Sequence, residues 1–206
     1  MNKNLKVLIE CAIMVALATA LSVFKIFEMP FGGSVTLASM LPIAIISCRY
    51  GVKIGFATGF VGSIIQLLLG LNTFAYTKTL FAVIVVVLID YILAFSVIGL
   101  AGMFRGFNQD NNNRKLSSIT FGSGVFVVIF LRFVCHLVSG AVVWHELTKE
   151  WYSDDPTHIV NTLGPWAYSF VYNILYMAPE LLITLVAGIA LTYFLNFRND
   201  KLIYVK

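Results

Sequence analysis

Long apolar stretches follow one another along this chain and leave little sequence between them that could fold in water. Residues 5–24, 51–70, 79–104, 117–144 and 166–197 are each mainly apolar, over at least the ~20 residues a helix needs to cross a bilayer's hydrocarbon core. A sixth stretch, residues 37–48, is shorter and contains Pro42, so it is expected to be broken or tilted. Of the 206 residues, 59% are hydrophobic and 12% charged; a soluble domain averages roughly 45–50% and about 25%. The expected fold class is an all-α integral membrane protein, six transmembrane helices in one bundle, with residues 1–206 as a single domain.

The segments between the spans carry their own signals. Residues 25–36 contain Pro30 and the pair Gly32-Gly33, which punctuate a loop. Residues 108–115 include Asn111-Asn112-Asn113 and read as a short flexible linker. About twenty residues after Trp144 form an outer loop with Glu146, Glu150, Asp154 and Asp155. Gly164-Pro165 opens the last helix, and Pro179 is expected to kink it. Gly51, Gly55, Gly59 and Gly62 give helix 3 a small-residue face for close packing. Lys3, Lys6 and Ala18-Thr19-Ala20 imitate a cleavable signal, yet the first apolar run is long enough to span and is read as helix 1.

Lys and Arg set the orientation. With six spans, one side holds Lys3, Lys6, Arg49, Lys53, Arg105, Arg114, Lys115, Arg198, Lys201 and Lys206, ten in all; the other holds Lys25, Lys78 and Lys149, three in all. Both termini are therefore expected in the cytoplasm. Cys11, Cys48 and Cys135 lie in or beside apolar segments and form no disulfide or zinc pattern. A basic face on a soluble surface, which nucleic-acid binding needs, is not visible, so a nucleic-acid partner is not expected.

Polar residues that survive inside spans are the informative ones: Gln66, Asp90, Arg132, His136, Asn173 and Glu180. Arg132, His136, Gly140 and Trp144 recur every four residues and form one stripe on helix 5. Asn173, Tyr176 and Glu180 share a face of helix 6, with Tyr168 one turn further out, and helix 4 supplies Asp90-Tyr91. Such a set suits a flat, cationic, heteroaromatic ligand. The carboxylate offsets positive charge, Trp144 and the tyrosines stack on rings, and His136 and Asn173 hydrogen-bond heteroatoms. Plainer readings stand beside it. Asp90 and Arg132 also suit a structural intramembrane pair, and His136 a bridge between helices. Trp144, Trp151 and Trp166 also suit an interfacial belt, the reading preferred for the last two. Glu180 equally suits capping of backbone groups freed near Pro179.

Ser139 with His136, and Gly122-Ser123-Gly124, offer an intramembrane hydrolase, but small residues of this kind are ordinary packing material in such helices, and the chain is not expected to be an enzyme. No Gly-x-x-x-x-Gly-Lys phosphate loop occurs, so ATP-driven transport would need partner subunits. A proton- or sodium-coupled secondary transporter using Asp90, His136 and Glu180 is the competing class. Ala12, Ala16 and Ala20 recur every four residues on helix 1, a stripe that admits a close partner helix or packs within the bundle.

Four stretches carry a family resemblance: Gly32 to Pro42, Asp90 to Phe95, Arg132 to Gly140, and Tyr168 to Glu180. In this order on six expected helices, the chain resembles the thiamine-specific substrate-binding (S) components of energy-coupling factor vitamin transporters, over essentially its full length. The resemblance implies capture of thiamine from outside, with a transmembrane coupling protein and two ATP-hydrolysing subunits as partners and the lipid bilayer as solvent. It implies ligand contacts at Asp90, Tyr91, His136, Gly140, Trp144, Tyr168 and Asn173, and coupling-protein contact at Ala12, Ala16 and Ala20. No metal or other cofactor is expected. Three departures stand out: Asp90 where some members have glutamate, Phe27 and Phe31 as the only aromatics in the first outer loop where some have a tryptophan lid, and a longer helix 5–6 loop.

Overall fold

The computed structural model describes residues 2–107 and 114–194. Five of its helices are long and apolar enough to cross a membrane: α1 (Lys3–Val23), α3 (Val52–Leu69), α4 (Leu80–Arg105), α5 (Ser118–Trp151) and the last, α6 (Pro165–Phe194). Their outward faces carry Leu8, Ile13, Leu17, Phe56, Leu68, Leu80, Phe81, Phe126, Leu182 and Val186. Apolar surface on this scale is untenable in water and at home in hydrocarbon.

The expected second span is different in kind. α2 (Leu41–Tyr50) has ten residues, about 15 Å of helix against a hydrocarbon core of about 30 Å. Leu41 through Ser47 are all buried, so α2 is sheathed by neighbouring helices. Pro42 sits in its first turn, where a missing N–H costs nothing, so this proline starts the helix and does not break it. Ahead of α2, residues expected as plain loop form a hairpin, β1 (Lys25–Glu28) antiparallel to β2 (Ser34–Thr36). Its turn places Phe31, Gly32 and Gly33 at positive φ, which glycine takes freely and phenylalanine does not.

Other boundaries shift. α5 runs on to Trp151, so the outer connector is shorter than expected and contains a further turn, Ile159–Thr162. In that connector both the Thr157 amide and hydroxyl donate to Asp155, at 3.0 and 2.7 Å, and hold its carboxyl below the ordinary range. α6 continues as helix through Pro179. The expected linker at 108–115 lies mostly outside the described residues, although helix already begins at Arg114.

Away from the hairpin the bundle packs backbone to backbone. The Ser47 hydroxyl donates to the Gly99 carbonyl and accepts from the Gly102 amide at 2.8 Å. A Cβ on Gly55 or Gly124 would overlap a facing carbonyl on α4, and Gly59 lies 3.0 Å from the Ser96 carbonyl by the same measure. Of the expected glycine face, Gly55 and Gly59 thus set the α3–α4 approach, whereas Gly51 supplies the positive-φ turn between α2 and α3.

Candidate functional site

Toward the hairpin end, the bundle opens around a cavity of about 680 Å³, within the ~300–1,000 Å³ usual for small-molecule sites. α4, α5 and α6 form most of its wall; Ser22 of α1, Gln66 of α3 and the hairpin turn complete it. All seven expected ligand residues, Asp90, Tyr91, His136, Gly140, Trp144, Tyr168 and Asn173, line this one space.

Asp90 organises it. The carboxylate is 8% exposed and receives three donors from α5. His136 Nδ1 lies 2.8 Å from Oδ1, the Ser139 hydroxyl donates to the same oxygen, and Trp144 Nε1 donates to Oδ2 at 2.8 Å. One helix can aim these three side chains at one carboxylate because its winding changes. Steps of four residues drift by about 40° on a regular α-helix. The wider π-type turn Gly140–Trp144 winds more slowly and brings Trp144 back over the His136 face. A second such turn, Val86–Leu93, surrounds Asp90 itself; insertions of this type recur at functional sites.

Arg132 does not pair directly with Asp90. Its Nε donates to His136 Nε2 at 3.2 Å, and its guanidinium lies 4.1 Å from the Phe95 ring centre. A guanidinium can only donate, so Nε2 accepts, and we infer that Nδ1 carries the hydrogen directed at Asp90. The chain Arg132–His136–Asp90 is continuous. Ser139 turns its hydroxyl to the carboxylate and not to the imidazole, so the serine–histidine contact that hydrolysis requires is not formed.

The remaining expected residues divide by role. Asn173 Nδ2 donates to the Ser169 carbonyl at 2.8 Å and the His136 carbonyl at 3.2 Å, while Oδ1 accepts from Tyr176 at 2.6 Å. Its amide joins α5 to α6. Gly140 allows that closeness, because a Cβ there would strike Ser169 and come within 3.2 Å of Asn173 Nδ2. The Tyr91 hydroxyl reaches Gly70 and Thr73, both at 3.2 Å, and its ring stacks with Phe95. Tyr168 is buried beside His145.

Sequence reasoning left two features unplaced. Glu180, 2% exposed, accepts from the Thr36 amide at 2.5 Å and the Thr36 hydroxyl at 2.7 Å. Its backbone partner therefore belongs to β2, not to the turn near Pro179. Non-helical backbone at membrane depth needs such internal partners. The second is the cover. Phe31 meets Tyr76 at 5.3 Å and Trp151 at 5.9 Å between ring centres, and the Tyr172 hydroxyl donates to the Gly32 carbonyl at 2.7 Å. Phe31 lines the cavity mouth, Phe27 is exposed on β1, and Trp151, exposed at a helix end and outside the cavity lining, reaches it only through its contact with Phe31. On α1, Val15 and Ala18 face the bundle while Ala12, Ala16 and Ala20 all face outward.

Against this geometry, residues 8–199 match the family model described as Thiamine transporter protein (Thia_YuaJ). The chain belongs to that family. It is 35% identical over 187 residues to the thiamine transporter ThiT of Bacillus subtilis strain 168, covering 88% of both chains. It is 26% identical over 183 residues to the ThiT of Lacticaseibacillus paracasei, covering 84% of this chain and 79% of that one. A solved structure of ThiT from Listeria monocytogenes superposes with TM-score 0.75 at 24% identity, over 96% of this chain and all of that one, which shows a shared fold. Membership in a thiamine transporter family gives the cavity a substrate class to be tested against, a small cationic heteroaromatic vitamin.

Proposed function

We propose that this chain is the high-affinity thiamine-binding membrane subunit of an energy-coupling factor importer, taking thiamine from the outer face for ATP-driven uptake by partner subunits. The observation that carries the proposal is the buried Asp90 carboxylate, held by His136, Ser139 and the Trp144 indole on the wall of a vitamin-sized cavity. A fixed thiazolium charge is drawn to that carboxylate, and the indole gives an aromatic face beside it. Tyr91, Tyr168, Gly140 and Asn173 shape the wall. The hairpin end is extracellular and both termini are cytoplasmic, with β2 and α2 together completing a sixth crossing.

Partnership rests on α1. Its outward alanines offer a shallow, smooth stripe to a second helix, and the sequence lacks a phosphate loop of its own, so a coupling protein and two ATP-hydrolysing subunits supply the energy. Binding of thiamine to detergent-purified protein, followed by tryptophan fluorescence, tests the reading. Saturable one-to-one quenching supports it, and no binding at micromolar thiamine refutes it.

A further inference from the structure

The α5 stripe does not stop at Trp144. Four residues on, Thr148 lines the same cavity, one helical turn nearer the end where Trp151 meets Phe31. Thr148 is 1% exposed. Among the described residues, three buried hydroxyls have no hydrogen-bond partner, those of Ser96, Thr148 and Thr184, and of these Thr148 alone lines the cavity. The Tyr168 hydroxyl stands nearby, and no hydrogen bond closes between the two. Other polar groups on this wall are already engaged: Ser139 with Asp90, Ser169 with the Leu137 carbonyl, Asn173 with His136, Ser169 and Tyr176. A buried hydroxyl left unpaired is costly, and this one borders space that a ligand can fill.

We propose that Thr148 is a ligand-binding residue whose hydroxyl pairs with the hydroxyl of thiamine's hydroxyethyl arm, a step that rests on the function proposed above. The thiazolium is drawn to Asp90 and faced by the Trp144 indole. An arm on that ring reaches the next turn of α5, about 5.4 Å on, where Thr148 stands. Two hydroxyls can each donate or accept, so the pair closes whichever way the protons point. A ligand ending in a methyl group leaves Thr148 unpaired, so the residue selects for a hydroxyl-bearing arm.

Calorimetry with thiamine and an analogue carrying ethyl in place of hydroxyethyl, on wild type, Thr148→Val and Thr148→Ser, tests the contact. Wild type is expected to bind thiamine about tenfold more tightly than the ethyl analogue. In Thr148→Val, which keeps the shape, that preference falls to about twofold or less because thiamine alone weakens; Thr148→Ser retains it. Melting of the ligand-free proteins separates ligand contact from structure. Removing an unpartnered hydroxyl leaves the melting temperature of Thr148→Val unchanged or raised, and a lowered one would assign that hydroxyl a protein partner and overturn the inference. Equal wild-type affinity for the two ligands overturns it even if neither variant folds. So does an undiminished preference in folded Thr148→Val. Each of these results leaves thiamine binding standing, whereas failure of the wild type to bind thiamine at all would strike the proposed function and this inference with it.

Discussion

Two stripes in this chain have the same spacing and opposite fates. Ala12, Ala16 and Ala20 repeat every four residues on α1 and face out of the bundle; Arg132, His136, Gly140 and Trp144 repeat every four on α5 and face in. Period alone does not choose between the two. Chemistry fixes the α5 stripe, because an arginine, an imidazole and an indole N–H must find acceptors, and hydrocarbon supplies none. Alanines carry no such demand and are equally compatible with either face. Their outward placement therefore reflects what the rest of α1 buries, Val15 and Ala18, and leaves the alanines exposed between Ile9, Ile13 and Leu17.

The contrast predicts that the stripes fail separately. The largest effect is expected for Ala16→Trp: ATP-driven thiamine uptake by cells is abolished while thiamine affinity of the purified subunit is unchanged, because bulk is added only to the outward face. Lost affinity with normal assembly would make the stripe part of the internal packing. Next, Trp144→Ala should weaken thiamine binding about tenfold or more and remove most ligand-dependent quenching, whereas Trp166→Phe changes neither. Trp166 is exposed at the start of α6 and lines no part of the cavity. Quenching that survives Trp144→Ala would move the aromatic contact to Trp151 and the cover.

A smaller effect is expected where the hairpin is anchored. Glu180→Gln offers one acceptor where two Thr36 donors now bind, and leaving a buried donor unpaired costs about 1–3 kcal/mol. Thermal unfolding in detergent should register that loss. An unchanged melting temperature would show that β2 is held by something other than this carboxylate.

What the sequence revealed follows the same division. The long spans were legible because hydropathy needs no partner to be read, and the grouping of these residues around one cavity was legible because polar residues inside spans are few. Pairings between distant segments were not. Glu180 meets Thr36 across 144 positions, and neither residue's neighbours announce the contact. The β1–β2 pairing joins strands of four and three residues, too short to show alternation over a punctuated loop. Residues 37–48 read as a span because they are apolar, yet the helix is short and its residues are apolar because other helices enclose it. The wide turns that bring Trp144 onto Asp90 leave no compositional mark. The expected roles of His136 and Asn173 as donors to ligand heteroatoms meet a structural fact of the same kind: the imidazole nitrogens and the Asn173 amide already have protein partners.

The central claim is that Asp90 supplies the charge that holds thiamine, and calorimetric titration of thiamine into wild type and Asp90→Asn tests it most directly. The substitution keeps shape, removes the charge and leaves a single oxygen acceptor for three donors. Folding is verified first by the melting curve of each protein. Loss of a charge-assisted contact costs about 1.5–3 kcal/mol, at least tenfold in affinity since about 1.4 kcal/mol is one decade. The account predicts one-to-one binding to wild type and a dissociation constant at least tenfold higher for folded Asp90→Asn; equal affinity in the two folded proteins would contradict it.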